Sequence, residues 1–151
     1  MAIRFLDLPD SVATEAAAAS LAPYLRAGDC VALTGDLGAG KTCFARGLLR
    51  ALGVRGDVPS PTFTLVQHYD TPTLPVAHFD LYRLKQPDDV FELGWEDALQ
   101  QGLALVEWPD HAGAHLPAQP LTVTLAVTGD TRRCTIAGQG VWSERLKDWV
   151  S

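Results

Sequence analysis

The stretch GDLGAGKT, Gly35 to Thr42, constrains the chain more than any other. It satisfies the pattern G-x-x-x-x-G-K-[ST] with Gly35, Gly40, Lys41 and Thr42. Glycines let the backbone turn tightly, so that successive N–H groups point into one concavity able to hold anionic oxygens. Lys41 offers a flexible point charge for outer phosphates, and Thr42 offers a hydroxyl for Mg²⁺. A helix starting here adds its positive end. The context agrees. DCVALTG before the loop reads as a buried strand through Val31, Ala32 and Leu33. KTCFARGLLRALG after it reads as a helix, with Phe44, Leu48, Leu49 and Leu52 at helical spacing and Gly53 as its cap.

A chain of 151 residues, 47% hydrophobic, suits a single P-loop domain over residues 1–151. The formal net charge is -6 and no Lys/Arg block occurs, which argues against autonomous binding of nucleic acid but not against acting on a complex that holds it. The apolar runs are short, so no membrane span is expected. The start, MAIRFLDLPDS, carries acids early and lacks a signal-peptide core, which points to the cytoplasm. Cys30, Cys43 and Cys134 lack metal-ligand spacing. Cys43 sits where a helix N-terminus could lower its pKa, although a small residue filling helix space is the simpler reading.

Along the rest of the chain, IRFLDL alternates as a first strand. Ser11 is the expected cap of an Ala-rich helix that Pro23 kinks or ends. GVRGDVPSPT is a loop. TFTLVQHY and PVAHFDLYRL read as two strands joined by a turn. QPDDVFELGWEDALQQG holds one or two short helices, LALVEW is a buried strand, and PDHAGAHLPAQP is a loop with room for a helical turn. LTVTLAVTG and RRCTIAG form a hairpin around Gly129 and Asp130, and VWSERLKDWV closes as an amphipathic helix. The pattern is α/β, a P-loop NTPase-like three-layer sandwich, and the short turns between strands demand a mixed sheet.

A P-loop needs a carboxylate at the end of a neighbouring strand to orient Mg²⁺ and its water. Glu107 follows LALV in the manner of a Walker B strand, and Asp80 follows VAHF. Trp108, next to Glu107, reads equally as a core ring or as one near the nucleotide. His78 shares a strand face with Asp80 and is expected as a buried structural imidazole with no role in proton transfer. Thr62, in SPTFTLV, is placed to sense the γ-phosphate through the metal, against the plain alternative that Thr favours strands. A GTPase should show N/T-K-x-D, which is absent, and a D-x-x-G switch after the second strand, which is missing there. A small-molecule kinase stays open as the alternative, although no Arg-rich lid is visible. An ATPase that drives or resets a partner needs only the phosphate site, a metal and a mobile surface. No clear arginine finger is visible, and Arg83 and Arg132 stay open as candidates for one.

GDLGAGKT, SPTFTLV, HFDLYRL, ELGWEDAL and LVEWPD, in this order, resemble the bacterial TsaE (YjeE) family. The resemblance runs from LPDSVAT to the closing helix and is loosest at the termini. It implies an ATPase needed for N6-threonylcarbamoyladenosine modification of tRNA, acting on a TsaB–TsaD pair and touching tRNA only through it. It also implies that Gly38 to Thr42 hold ATP phosphates, that Thr42 and Glu107 sit at Mg²⁺, and that Asp80 and Trp108 serve turnover or partner contact. Thr14 and Arg132 would touch the nucleotide outside the loop. The expected nucleotide set is therefore Thr14, Gly35, Asp36, Leu37, Gly38, Ala39, Gly40, Lys41, Thr42, Cys43, Trp108 and Arg132, with Lys41, Asp80 and Glu107 catalytic. Cys43 stands where the family often has a second Thr.

Overall fold

The computed structural model describes residues 1–150. β1 (Ala2–Leu8) runs into α1 (Ser11–Leu21). Asp10, not the expected Ser11, caps this helix: its carboxylate accepts from the Ala13 amide at 2.9 Å. An ionised cap satisfies an orphan donor and also favours the positive helix end. The regular helix ends before Pro23, and a 3-10 turn, Ala22–Tyr24, takes over because proline has no N–H to continue the ladder.

β2 (Cys30–Thr34) leads through the glycine-rich loop into α2 (Lys41–Ala51). Gly53 lies just past the helix at φ +109. Its amide bonds the Arg50 carbonyl and the Val54 amide bonds the Leu49 carbonyl, the paired hydrogen bonds of a Schellman ending.

The next segment departs from expectation. Thr62–Leu65 is a turn rather than the start of a strand: the Leu65 amide bonds Pro61 O at 2.7 Å, and Leu65 has φ +68. The strand propensity of Thr yields here to a tertiary bond, because the Thr62 hydroxyl is taken by Asp80. β3 begins only at Val66 (Val66–Asp70) and pairs antiparallel with β4 (Pro75–Asp80). LYRL is likewise outside β4, with the Leu84 amide turning back to Leu81 O.

The following region forms two short helices, as expected: a 3-10 segment Pro87–Leu93 and α3 (Trp95–Gln101). β5 (Leu103–Glu107) and a kinked 3-10 segment, Pro109–His115, come next. β6 (Leu121–Thr128) and β7 (Thr131–Gly138) form the expected hairpin. The closing helix α4 is shorter than expected, Val141–Arg145. The end of the chain is anchored by indoles instead: Trp142 donates to Gln119 O at 3.0 Å and Trp149 to Ser20 Oγ at 2.9 Å.

All seven strands join one mixed sheet in the order β1-β7-β6-β2-β5-β4-β3. β4, β5, β2 and β6 are mutually parallel, and the outer pairings are antiparallel. On one face Val31, Leu33, Leu105 and Val123 pack with Leu21 of α1, Phe44 and Leu48 of α2, and Trp142. On the other, Ala104, Val106 and Phe79 pack with Val90, Trp95 and Ala112 from the short helices. That makes three layers, and it explains the unbroken apolar runs of β2 and β5, which are buried on both sides. The C-terminal ends of β2, β4 and β5 open at one edge, where ligands of open α/β sheets bind. No helix among the described residues is long and apolar enough to cross a membrane.

Candidate functional site

The loop after β2 is shaped by its backbone. Gly35 has φ +142, and a Cβ there would collide with the Leu125 carbonyl oxygen of β6. Gly40, at φ +108, is the N-cap residue of α2. Behind it lie amides of the first helical turn that no helix supplies with acceptors.

Lys41 is buried at 5% exposure. Its ammonium donates to Gly35 O at 2.6 Å and Asp36 O at 2.9 Å, and lies 4.3 Å from the centroid of the Trp108 ring. Burial pushes the ammonium below the usual lysine range, against the opposing pull of Glu107, Asp80 and Asp36. Trp108 reaches this place with φ +57, uncommon for a bulky residue. Its ring also packs against Tyr82, at 5.0 Å between centroids, and His111, at 5.8 Å. His111 is in turn tied to the Leu81 carbonyl through Nδ1 at 2.7 Å. The neighbours thus hold a conformation that the residue alone would avoid.

Glu107 ends β5, buried at 2% exposure, and both of its oxygens lie 3.2 Å from the Thr42 hydroxyl. Asp80 is its register partner across β4 and β5. The two acids are engaged differently. Asp80 Oδ1 accepts from the Tyr82 amide and Oδ2 from the Thr62 hydroxyl, each at 3.0 Å, and Thr62 shares a further bond with Ser60. Asp80 therefore clasps the Thr62 turn, while Glu107 faces α2. Among the described residues no group of three or more His, Cys, Asp or Glu side chains could hold a metal unaided. Thr42 and Glu107 instead offer a hydroxyl and a carboxylate, an all-oxygen partial set.

A cleft of about 240 Å³ gathers Leu37, Gly38, Gly40, Lys41, Thr42, Cys43, Thr62, Asp80, Glu107 and Trp108. A second, of about 290 Å³, shares Gly40 and Cys43 with it and adds Thr14, Ala39 and Arg132. Most of the expected site residues thus converge, including Thr14 and Arg132 from the less firmly matched ends. Arg132 reaches the Gly38 carbonyl at 3.3 Å. Gly35 and Asp36 sit behind the cleft as the carbonyls that hold Lys41. Arg83 lies apart, its guanidinium 4.7 Å from the ring centroid of exposed Phe63. The helix N-terminus does not lower the Cys43 thiol: burial and then Glu15 push it up, against Arg46. Burial also drives Cys30 and Cys134 up to about 12.

Sequence reasoning missed several members. Leu8, Pro9, Asp10, Ser11 and Asp130 line the second cleft. Tyr82 and His111 complete the aromatic stack, and His78 bonds Glu107. Asp10 and Ser11 carried a local signal as capping residues before an Ala-rich run, and His78 one as a strand-face neighbour of Asp80. What joins these segments to the cleft is the pairing of the strands.

The geometry has counterparts. The family described as threonylcarbamoyl adenosine biosynthesis protein TsaE matches residues 8–135. A Rickettsia felis protein named tRNA threonylcarbamoyladenosine biosynthesis protein TsaE is 44% identical over 126 residues, 82% of this chain and 73% of its own. The Bacillus subtilis protein of the same name is 39% identical over 121 residues, 80% of this chain and 75% of its own. The crystal structure of Bacillus subtilis YdiB superposes with a TM-score of 0.80 at 31% identity, covering 97% of this chain and 93% of that one. The family match contains the glycine-rich loop, both strand-end acids and Arg132, and with relatives this similar over four fifths of its length the chain belongs to the TsaE family.

Proposed function

We propose that this protein binds ATP with Mg²⁺ in the cleft and hydrolyses it in support of N6-threonylcarbamoyladenosine formation on tRNA. Its direct partner in this reading is the TsaB–TsaD pair in the cytoplasm, which it resets for repeated turnover. Contact with tRNA runs through that complex. The relatives' names supply the pathway. The observation that carries the chemistry is the meeting of Lys41, Thr42 and Glu107 at the N-terminus of α2, with both Glu107 oxygens 3.2 Å from Thr42.

A Thr hydroxyl and one carboxylate suit Mg²⁺, which keeps several waters and takes phosphate oxygens for the rest of its shell. When bound, the ion neutralises charge on the phosphates. The chain's own residues do the rest. The loop amides and the N-terminus of α2 cradle the phosphates. Lys41 turns its donors from the Gly35 and Asp36 carbonyls to phosphate oxygens, and the Trp108 ring keeps water away from that charge. Asp80 holds the Thr62 turn against the cleft. In the reaction, water attacks the γ-phosphorus, the bond to the bridging oxygen breaks, ADP leaves with that electron pair, and the water's proton passes to the released phosphate or to solvent. Arg83 and Arg132 are engaged with Phe63 and Gly38, so slow turnover is expected until a partner completes the site.

Phosphate release at saturating ATP, with and without the TsaB–TsaD pair, tests the reading. The rate should rise with the pair. Equal rates would reject partner activation, and fast transfer to an added small metabolite would favour a kinase.

A further inference from the structure

His78 occupies β4 two residues before Asp80, in register with Leu105 of β5. Leu105 and Glu107 lie on one face of β5, so His78 and Glu107 are diagonal neighbours on the side that faces α2. His78 is fully buried, and its Nε2 lies 2.6 Å from Glu107 Oε2. This is more than packing. A carboxylate only accepts hydrogen bonds, so Nε2 carries the proton and donates. The other ring nitrogen, Nδ1, is buried without a partner. No acceptor lies within reach of Nδ1, so the directed contact of the ring is the one through Nε2. The imidazole is left with a single directed donor, aimed at Glu107.

We infer that His78 is a positioning residue, which holds the Glu107 carboxylate in the orientation that faces Thr42 and the cation. The inference rests on the Mg²⁺ site proposed above. A carboxylate at the end of a strand can rotate about its last torsion. The grip on Oε2 stops that rotation and keeps both oxygens turned toward the Thr42 hydroxyl, each 3.2 Å from it. Asp80 cannot substitute, because its oxygens are spent on Tyr82 and Thr62. In many metal sites a carboxylate orients a ligating histidine, and loss of that outer partner costs about 10–100-fold in metal affinity. Here the order is reversed, with the histidine outside and the carboxylate inside.

The test measures affinity of the full chain for a fluorescent ATP analogue, first in EDTA and then at graded Mg²⁺. His78→Gln keeps an amide N–H near the position of Nε2, whereas the shorter side chain of His78→Asn cannot reach Glu107. His78→Asn should lose the Mg²⁺ enhancement by about 10–100-fold with EDTA affinity unchanged, and His78→Gln should stay near wild type. In a Glu107→Ala background the Asn change should do nothing further. A full Mg²⁺ response in both His78 variants, or an equal loss in both, overturns the positioning role. A wild-type protein without any Mg²⁺ response overturns instead the site reading beneath it. If neither variant folds, the imidazole ¹⁵N spectrum of the wild-type chain decides. A proton on Nε2 that shifts when Mg²⁺ joins the nucleotide supports the role. A proton on Nδ1, or an Nε2 signal indifferent to Mg²⁺, overturns it.

Discussion

Glu107 and Asp80 stand side by side on β5 and β4, yet their oxygens have different partners. Glu107 faces the Thr42 hydroxyl and His78, whereas Asp80 is bonded to the Tyr82 amide and the Thr62 hydroxyl. Residue type and place in the chain were enough to nominate both acids, but their division of labour depends on neighbours that sequence proximity does not reveal. Glu107→Gln is expected to lose at least about tenfold of the Mg²⁺ enhancement of ATP binding, while Asp80→Asn retains it and instead loosens the Thr62 turn. Equilibrium titration of a labelled ATP analogue against Mg²⁺ checks this, and loss confined to the Asp80 variant would exchange the roles. Cys43 shows the limit of reasoning from one element. A helix N-terminus draws a thiol pKa down, but burial and Glu15 on the neighbouring helix hold this one up.

α1 and α2 lie close enough that α2 needs a glycine where they touch. A Cβ at Gly47 would come 2.6 Å from the Glu15 Cα and 2.7 Å from its carbonyl oxygen. Backbone atoms cannot rotate away as a side-chain tip can, so α1 as a whole would have to shift. Gly47→Ala gains about 1 kcal/mol of helix propensity but forces overpacking that costs about 1–3 kcal/mol. The backbone clash places the cost at the upper end. A Tm drop of a few degrees is expected by thermal denaturation, with weaker nucleotide binding because Thr14 of α1 lines the second cleft. An unchanged or higher Tm would show that the helices separate at no cost. The elements themselves were largely legible. Apolar periodicity marked β2, α2 and β5, and Gly53 marked the end of α2. The misread stretches were those where a long-range bond overrode local preference: Thr62–Leu65, clasped by Asp80, and the end of the chain, held by Trp142 and Trp149 rather than by a longer helix.

At the scale of the whole molecule, the cleft joins segments from β2 to β7, so a ligand there should stabilise the entire sheet. Mg²⁺ with ATP at about a hundred times its dissociation constant adds about 2.7 kcal/mol, or about 5–10 °C in Tm for a chain of this size. Lys41→Ala should abolish that shift and also lower the Tm of the free protein, since the buried ammonium bonds the Gly35 and Asp36 carbonyls and packs on the Trp108 ring. A wild-type Tm indifferent to Mg²⁺ and ATP would remove the nucleotide from the site. What the sequence determined by itself was the glycine-rich loop between a buried strand and a helix, the α/β class, the need for a mixed sheet and the net acidic charge without a basic block. All of these follow from residue type and spacing over a few turns or one strand. Only the tertiary structure decided the strand order, and with it the meeting of Thr42 with Glu107, 65 residues away, and of Glu107 with His78. Side-chain periodicity reports which face of a strand is buried, but it does not say which strand lies beside it. That choice is made by crossover connections and by how helices cover both faces of the sheet, which are properties of the assembled chain.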